Sequence, residues 1–212
     1  MPAAFRLCLF SLLLAALCLA QPWEIGGVGG GGFLTNASVS GAAGSALAGF
    51  QPGAAIGAVA SHNVQKHFSG EIRYTFLQSG LKLSSGGTAV NFSGVAHAVH
   101  YDVLLHPRPR RGAPLPFLAL GGGVKVFRGT GPEASYQPLH QYAYLTKTQQ
   151  VEPLISAGAG VKIPLSPNLF LRAEFRDYLT PFPTQVIAAA PGEKVGGWLH
   201  NLVPLVGLTF AF

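Results

Sequence analysis

The sequence predicts an all-β fold, an eight-stranded antiparallel transmembrane up-and-down β-barrel behind a cleaved signal peptide, on three observations. Charged residues make up only 10% of the 212 residues while Gly reaches 28, and the mean hydropathy is +0.35. A soluble domain has about a quarter of its residues charged, so much of this surface faces something other than water. Beyond the N-terminal leader there is no run of about eighteen apolar residues, which excludes helical spans. A closed barrel is the other architecture that satisfies every backbone group in lipid. Finally, apolar residues recur at every second position in segments of barrel-strand length.

The leader comes first. MPAAFR is followed by the apolar run Leu7 to Leu19 and the small Ala20, the charge, length and cleavage pattern of a secretory signal peptide. The organisation is therefore 1–20 signal peptide and 21–212 β-barrel, with no second domain. The large Leu17 before Cys18 argues against a lipoprotein. Both cysteines, Cys8 and Cys18, leave with the leader, which closes disulfide, zinc–thiolate and cysteine-nucleophile chemistry. The net charge of +6 includes Arg6, and no basic stripe interleaved with aromatics points to nucleic acid.

Eight strands are predicted near 22–34, 52–62, 66–78, 90–105, 116–128, 152–163, 169–180 and 199–212. Long connections (35–51, 79–89, 129–151 and 181–198) alternate with shorter ones (63–65, 106–115 and 164–168). That asymmetry is characteristic of bacterial outer-membrane barrels, with long loops outside the cell and short turns in the periplasm. Prolines in "PLSPN" and "HPRPRRGAPLP" end strands on the short side.

The first strand holds "GVGGGG", Gly27 to Gly32, a formal dinucleotide fingerprint. It lacks the following helix and the acidic residue about twenty positions on. These glycines instead permit close packing and curvature. In the third strand, "HFSGEIRYTF", Phe68, Ile72, Tyr74 and Phe76 share one face, and Ser69, Glu71, Arg73 and Thr75 the other. In the fourth, Val99, Tyr101, Val103 and Leu105 oppose His100 and Asp102. A hairpin turn at Ser84 to Gly87 would set Glu71 across from His100 and Ser69 across from Asp102, matching the polar faces. His97 and His100 point to opposite faces and cannot share a metal. His97 belongs outside, near a membrane interface.

The fifth strand contributes Lys125. The sixth places Gly158, Gly160 and Lys162 inward, and the seventh places Arg172, Glu174 and Arg176 inward. The missing side chains at Gly158 and Gly160 make room for their charged neighbours. An Arg on the lipid face costs roughly 2–4 kcal/mol near the midplane, so the charges belong in the lumen. Eight strands leave an interior filled by side chains. The candidate site is therefore a lumen charge network of Glu71, Arg73, His100, Asp102, Lys125, Lys162, Arg172, Glu174 and Arg176, joined by Glu24. Its first reading is packing and neutralisation; a narrow gated pore is the alternative.

The last strand alternates Val206, Leu208, Phe210 and Phe212 with Gly207, Thr209 and Ala211 and ends on the aromatic. The mature chain resembles the barrel domain of the small eight-stranded OmpA and OmpX type of outer-membrane proteins. Within "GLTFAF", Gly207, Phe210 and Phe212 resemble the signal read by the barrel-assembly machinery, with Leu205 standing where that signal usually carries a polar residue. The resemblance implies location in the bacterial outer membrane and outer-membrane lipid and the assembly machinery as partners. It does not extend to the periplasmic peptidoglycan-binding domain of full-length OmpA.

A monomer is expected, without cofactor, metal or catalytic residues, in a structural (membrane integrity) or surface-interaction role. The third long loop, with Tyr136, His140, Tyr142 and Tyr144, could carry a surface ligand. Arg108, Arg110 and Arg111 would meet headgroups or an acidic partner in the periplasm. The enzymatic alternative is a lipid A-modifying barrel, a deacylase or acyltransferase. The deacylases carry a His-x-Ser-Asn run on a late strand, but "GWLHNLVP" follows His200 with Asn201 and Leu202 and offers no serine, leaving a base without an evident nucleophile.

Overall fold

The computed structural model describes residues 23–65, 67–107, 112–133 and 136–212. The expected signal peptide with Arg6, Cys8 and Cys18, and the arginines Arg108, Arg110 and Arg111, lie outside the described residues.

In chain order the strands are β1 (Trp23–Leu34), β2 (Ala37–Gly41), β3 (Gly44–Phe50), β4 (Gly53–Gln65), β5 (Phe68–Gln78), β6 (Leu81–Ser85), β7 (Thr88–Phe92) and β8 (Gly94–Leu105). They continue as β9 (Leu115–Gly129), β10 (Ala143–Leu145), β11 (Gln149–Pro164), β12 (Leu169–Pro181), β13 (Ile187–Ala189), β14 (Glu193–Lys194) and β15 (Trp198–Ala211). Eight of them close into one antiparallel barrel in the order β1-β15-β12-β11-β9-β8-β5-β4. All eight lie where alternation in the sequence places them, within a few residues at each end.

Closure has a definite shear. From Glu24, the row of paired residues runs through Ser61, Glu71, Asp102, Gly121, Ser156, Tyr178 and Asn201 and returns to β1 at Leu34, ten residues further along. With eight strands this shear tilts them by about 40° and gives a wall of about 8 Å radius, too narrow for an open channel once side chains are added. Some inward glycines reflect this tightness. A Cβ on Gly30 would lie 2.0 Å from the Pro204 carbonyl oxygen of the neighbouring strand, and one on Gly26 2.2 Å from that of Leu208. Gly26 and Gly30 are thus explained by contact with β15.

The wall is inverted relative to a soluble barrel. Ile56, Ile72, Leu118, Leu120, Val124, Phe175, Val206 and Phe210 are exposed on the outside, while Glu71, Arg73, Asp102, Lys125, Arg172 and Arg176 are fully buried inside. Near the short-turn end, Trp23, His62 and Tyr101 make a chain of rings on the outer wall, with centroids 5.4 and 6.3 Å apart. Tyr101 lies over Gly70, where a Cβ would come within 1.9 Å of its hydroxyl. Such aromatic groups sit where apolar wall meets headgroups.

The long connections depart from the sequence reading, which took them as loops. β14-β2-β3-β6-β7 form a five-stranded sheet and β10-β13 a two-stranded one. The first two hairpins simply continue out of the membrane. Pairing of Ala37 with Ala48 keeps the register of Trp23 with His62, and pairing of Ser85 with Thr88 keeps that of Phe68 with Leu105.

The second hairpin also corrects the expected pairing. It turns on Gly86 and Gly87, at φ of 57° and 82°, the left-handed pair that a two-residue hairpin turn requires. Glu71 therefore faces Asp102 and Arg73 faces His100, two residues from the pairing of Glu71 with His100 and Ser69 with Asp102. Because the shift is even, every side chain keeps its face.

Candidate functional site

The lumen has two parts, and the sequence suggested only the lower one. At mid-height, β5, β8 and β12 bring together Glu71, Arg73, Asp102, Arg172, Glu174 and Arg176, with side chains fully buried. Glu71 is the hub. It accepts hydrogen bonds from Arg172 at 2.5 and 3.0 Å, Arg73 at 2.8 and 3.2 Å, Arg176 at 3.2 Å and the Ser61 hydroxyl at 2.9 Å. Glu174 accepts from Arg172 and Arg176, each at 3.0 Å, and pairs with Arg73 at 2.7 Å.

Asp102 accepts from Arg176 Nη1 at 2.7 Å and lies 3.0 Å from His100 Nδ1. Two carboxylates directly opposite on paired strands would repel. Here the Arg176 guanidinium bonds both Glu71 and Asp102 and bridges the facing pair.

Three guanidiniums meet three carboxylates, so the cluster is neutral. That balance makes burial tolerable, because an unpaired charge in a dry interior costs several kcal/mol. The space is set by glycine. A Cβ at Gly158 would stand 2.6 Å from Arg176 Cδ, and one at Gly160 2.5 Å from Phe117 Cζ and 2.8 Å from Glu174 Cβ. The Phe117 ring floors the cluster, 4.7 Å from the Arg172 guanidinium.

The other predicted lumen residues stand apart from this cluster. Lys162 pairs with Glu24 at 2.5 Å near the short-turn end. Lys125 is fully buried toward the opposite end, with its ammonium 4.7 Å from the Phe127 ring centroid and no hydrogen-bond partner among the described residues. His100 joins through Asp102, its ring edge-on to Tyr178 at 5.0 Å.

Above the cluster the lumen is lined mainly by apolar residues, with Lys125, Thr180 and Asn201 buried among them. Leu77, Ala96, Ala98, Phe127, Leu154, Leu199 and Val203 point inward and merge with Val39, Phe50, Leu81, Leu83, Leu145, Val186 and Ile187 of the outer sheets into one core. This hydrophobic core, shared with the crown, fills the long-loop end of the barrel. The sequence signal was weak, because "LHNLVPL" is apolar on both faces and alternation gives no contrast.

The residues of the expected assembly signal lie at the barrel seam, where β15 meets β1. Trp23 and Phe212 exchange backbone hydrogen bonds of 2.9 and 3.1 Å. Phe210 and Phe212 are exposed on the lipid side. Gly207 faces inward, where a Cβ would lie 2.0 Å from the Gly27 carbonyl oxygen.

Two polar pairs lie on the outer wall. Tyr74 meets His97 Nδ1 at 2.8 Å, so His97 is on the outer face as its position in the alternation requires. His200 Nδ1 lies 2.7 Å from Asp177 Oδ2. The sequence reading considered His200 as a base but did not give it a carboxylate partner. Asp177 follows Arg176, so it must point to the face opposite the lumen, and that was the available signal. Thr35, paired across from His200, accepts the His200 backbone N–H at 3.0 Å, and no hydroxyl is bonded to the imidazole ring among the described residues.

No protein-family model matches the sequence, and no curated protein is similar to it. Among solved structures, the chain is similar to Neisserial surface protein A, at 11% identity and a TM-score of 0.55 over 90% of this chain and 97% of that one. It is also similar to the outer membrane protein OprG from Pseudomonas aeruginosa, at 11% identity and a TM-score of 0.60 over 91% and 96% of the two chains. With its lipid-facing wall, ion-filled lumen and one-sided long hairpins, the chain has the fold and the membrane-facing surface of a small eight-stranded bacterial outer-membrane barrel.

Proposed function

We propose that this is a non-catalytic outer-membrane barrel whose barrel serves as a sealed anchor and whose structural or surface-interaction role is carried by the crown. The observation that carries this reading is the filled lumen, with a neutral ion cluster at mid-height and above it a largely apolar core in which Lys125 and Asn201 are also buried. A narrow pore would need a continuous wet path, and the buried side chains of the ion cluster and of the core shared with the crown stand across that path. Two of the crown's hairpins, β2–β3 and β6–β7, grow from the barrel without a change of register, which supports an outer face held above the membrane. It displays Tyr136, Tyr144 and Leu47, all well exposed, and the Lys82 and serine-lined surface between β3 and β6. Tyrosines presented on a rigid support make large contacts at little entropic cost.

Barrel-assembly machinery and outer-membrane lipid are the proposed partners in biogenesis and residence. The outward Phe210 and Phe212 at the closing seam support the first, and the apolar wall supports the second. A monomer fits the closed barrel, which leaves no unpaired strand edge in the membrane.

The test uses cells displaying the full-length protein, the Tyr136→Ala, Tyr144→Ala, Lys82→Glu variant, or neither. The variant changes exposed crown positions and leaves the shared core intact. Surface attachment is expected to fall about thirtyfold in the variant, at equal amounts of folded barrel, as loss of two contact residues of about 1 kcal/mol each would produce. If attachment and detergent sensitivity were the same with the protein, with the variant and without either, the reading would be wrong.

A further inference from the structure

Asp177 is the single carboxylate on the outward face of the eight barrel strands among the described residues. A charge there is costly unless it serves a purpose, and ionisable groups at membrane depth are functional candidates on physical grounds. Its place is well defined. Asp177 pairs in register with Leu202, and His200 with Leu179, so the carboxylate reaches one pair further toward the cell exterior to meet the imidazole at 2.7 Å.

Above the pair is Trp198, 57% exposed on the same face, and below it are Leu202 and Phe33, themselves paired across β1 and β15. The tryptophan marks the headgroup level and the other two mark the hydrocarbon. Asp177 and His200 thus lie at the upper edge of the apolar wall, where lipid headgroups begin.

The pair is half satisfied. His200 Nδ1 donates to Asp177 Oδ2, which fixes the ring and leaves Nε2 directed away from the carboxylate. Asp177 Oδ1 is buried and accepts no hydrogen bond among the described residues. A buried carboxylate oxygen without a donor costs about 1–3 kcal/mol or more. The other outer-wall pair, Tyr74 with His97, carries no carboxylate.

We propose that Asp177 and His200 form a lipid site on the outer wall, taking a headgroup that donates a hydrogen bond, either an ammonium or a hydroxyl. The Asp177 carboxylate, its side chain 31% exposed beside a His200 side chain 51% exposed, accepts the donor, His200 holds it in place, and Trp198 with Phe33 packs beside the upper acyl chain. The site acts by retention. Thr35 gives its oxygen to the His200 backbone N–H, and no nucleophile is set against the ring. The proposal is independent of the role assigned to the crown.

The test compares the full-length protein with Asp177→Asn, which keeps the shape, and His200→Phe, which keeps the ring. Each is reconstituted in nanodiscs of phosphatidylethanolamine or phosphatidylcholine with the same acyl chains, and in phosphatidylcholine doped with a glucosamine-based glycolipid. Folding is checked by heat-dependent gel mobility, and lipid retained on the released barrel is counted by native mass spectrometry. The choline headgroup has no N–H to donate.

About fivefold better retention of the ethanolamine lipid than of the choline lipid, lost in both variants, is expected if the donor is an ammonium; this is one hydrogen bond of about 1 kcal/mol. The same preference for the glycolipid, again lost in both variants, would assign the donor to a hydroxyl. Equal retention of all three lipids, or a preference that survives in both folded variants, would overturn the site. Loss of an acyl chain from the bound lipid, abolished in His200→Phe, would overturn retention in favour of catalysis.

Discussion

Replacing Glu71 with alanine is expected to destabilise the barrel by about 3–5 kcal/mol, the usual cost of breaking a buried ion pair by removing one partner. Glu71 receives hydrogen bonds from Arg73, Arg172 and Arg176, so its loss leaves two carboxylates among three guanidiniums in a closed space. Because folded proteins are stable by only about 5–15 kcal/mol, this is a large fraction of the total. The urea midpoint of the folded band in lipid vesicles measures it.

The same cluster makes a second measurement informative. Glu71→Gln with Arg73→Gln removes one charge of each sign and restores neutrality, so the pair should recover at least half of the loss caused by Glu71→Gln alone. Neighbouring residues of one network are expected to be non-additive in this way. If the double variant were as unstable as the sum of the singles, charge balance would not be what holds the cluster.

Gly160→Leu is the second large effect expected. The position faces the lumen on β11, opposite Glu174 of β12, and a first side-chain carbon would already stand 2.5 Å from Phe117 Cζ and 2.8 Å from Glu174 Cβ. Overpacking of a filled interior costs about 1–3 kcal/mol, and here the displaced Glu174 would also weaken its bonds to Arg172 and Arg176. The variant should fold more slowly into vesicles and unfold at lower urea. Ala159→Leu, on the neighbouring outward position, is the control and should be nearly neutral because its side chain enters lipid. Equal behaviour of the two would mean that β11 does not face inward at Gly160.

Both predictions rest on which way each strand faces, and that was legible from the chain alone. "EIRYTF" and "LFLRAEFRDYL" alternate charge with apolar residues so sharply that a slip of one position would expose Arg73, Arg172 and Arg176 to lipid. Pairing was less legible. Moving the turn from Ser84–Gly87 to Gly86–Gly87 preserves every face, so the pattern of faces could not fix it, and only the positive φ of both glycines decides.

The crown was illegible for a different reason. "ASVSG" and "GSALAGF" are built of small residues with little strand preference of their own, and they pair because the barrel hairpins below already hold them in register. In the upper lumen, Leu77, Leu199 and Val203 gain an apolar environment from residues of the crown. Asp177 was readable in principle, since the neighbour of an inward arginine on a strand must face outward. Its partner His200 lies 23 residues along the chain, and the register of β12 against β15 brings them together.

The central claim is that the lumen is sealed, and planar-bilayer recording of the folded full-length protein tests it most directly. The account predicts a flat trace at neutral pH, with no discrete current steps, because the neutral Glu71 cluster and the Leu77, Phe127 and Leu199 plug occupy the axis in series. Reproducible single-channel steps from the folded barrel would contradict it and establish a path for ions through the lumen.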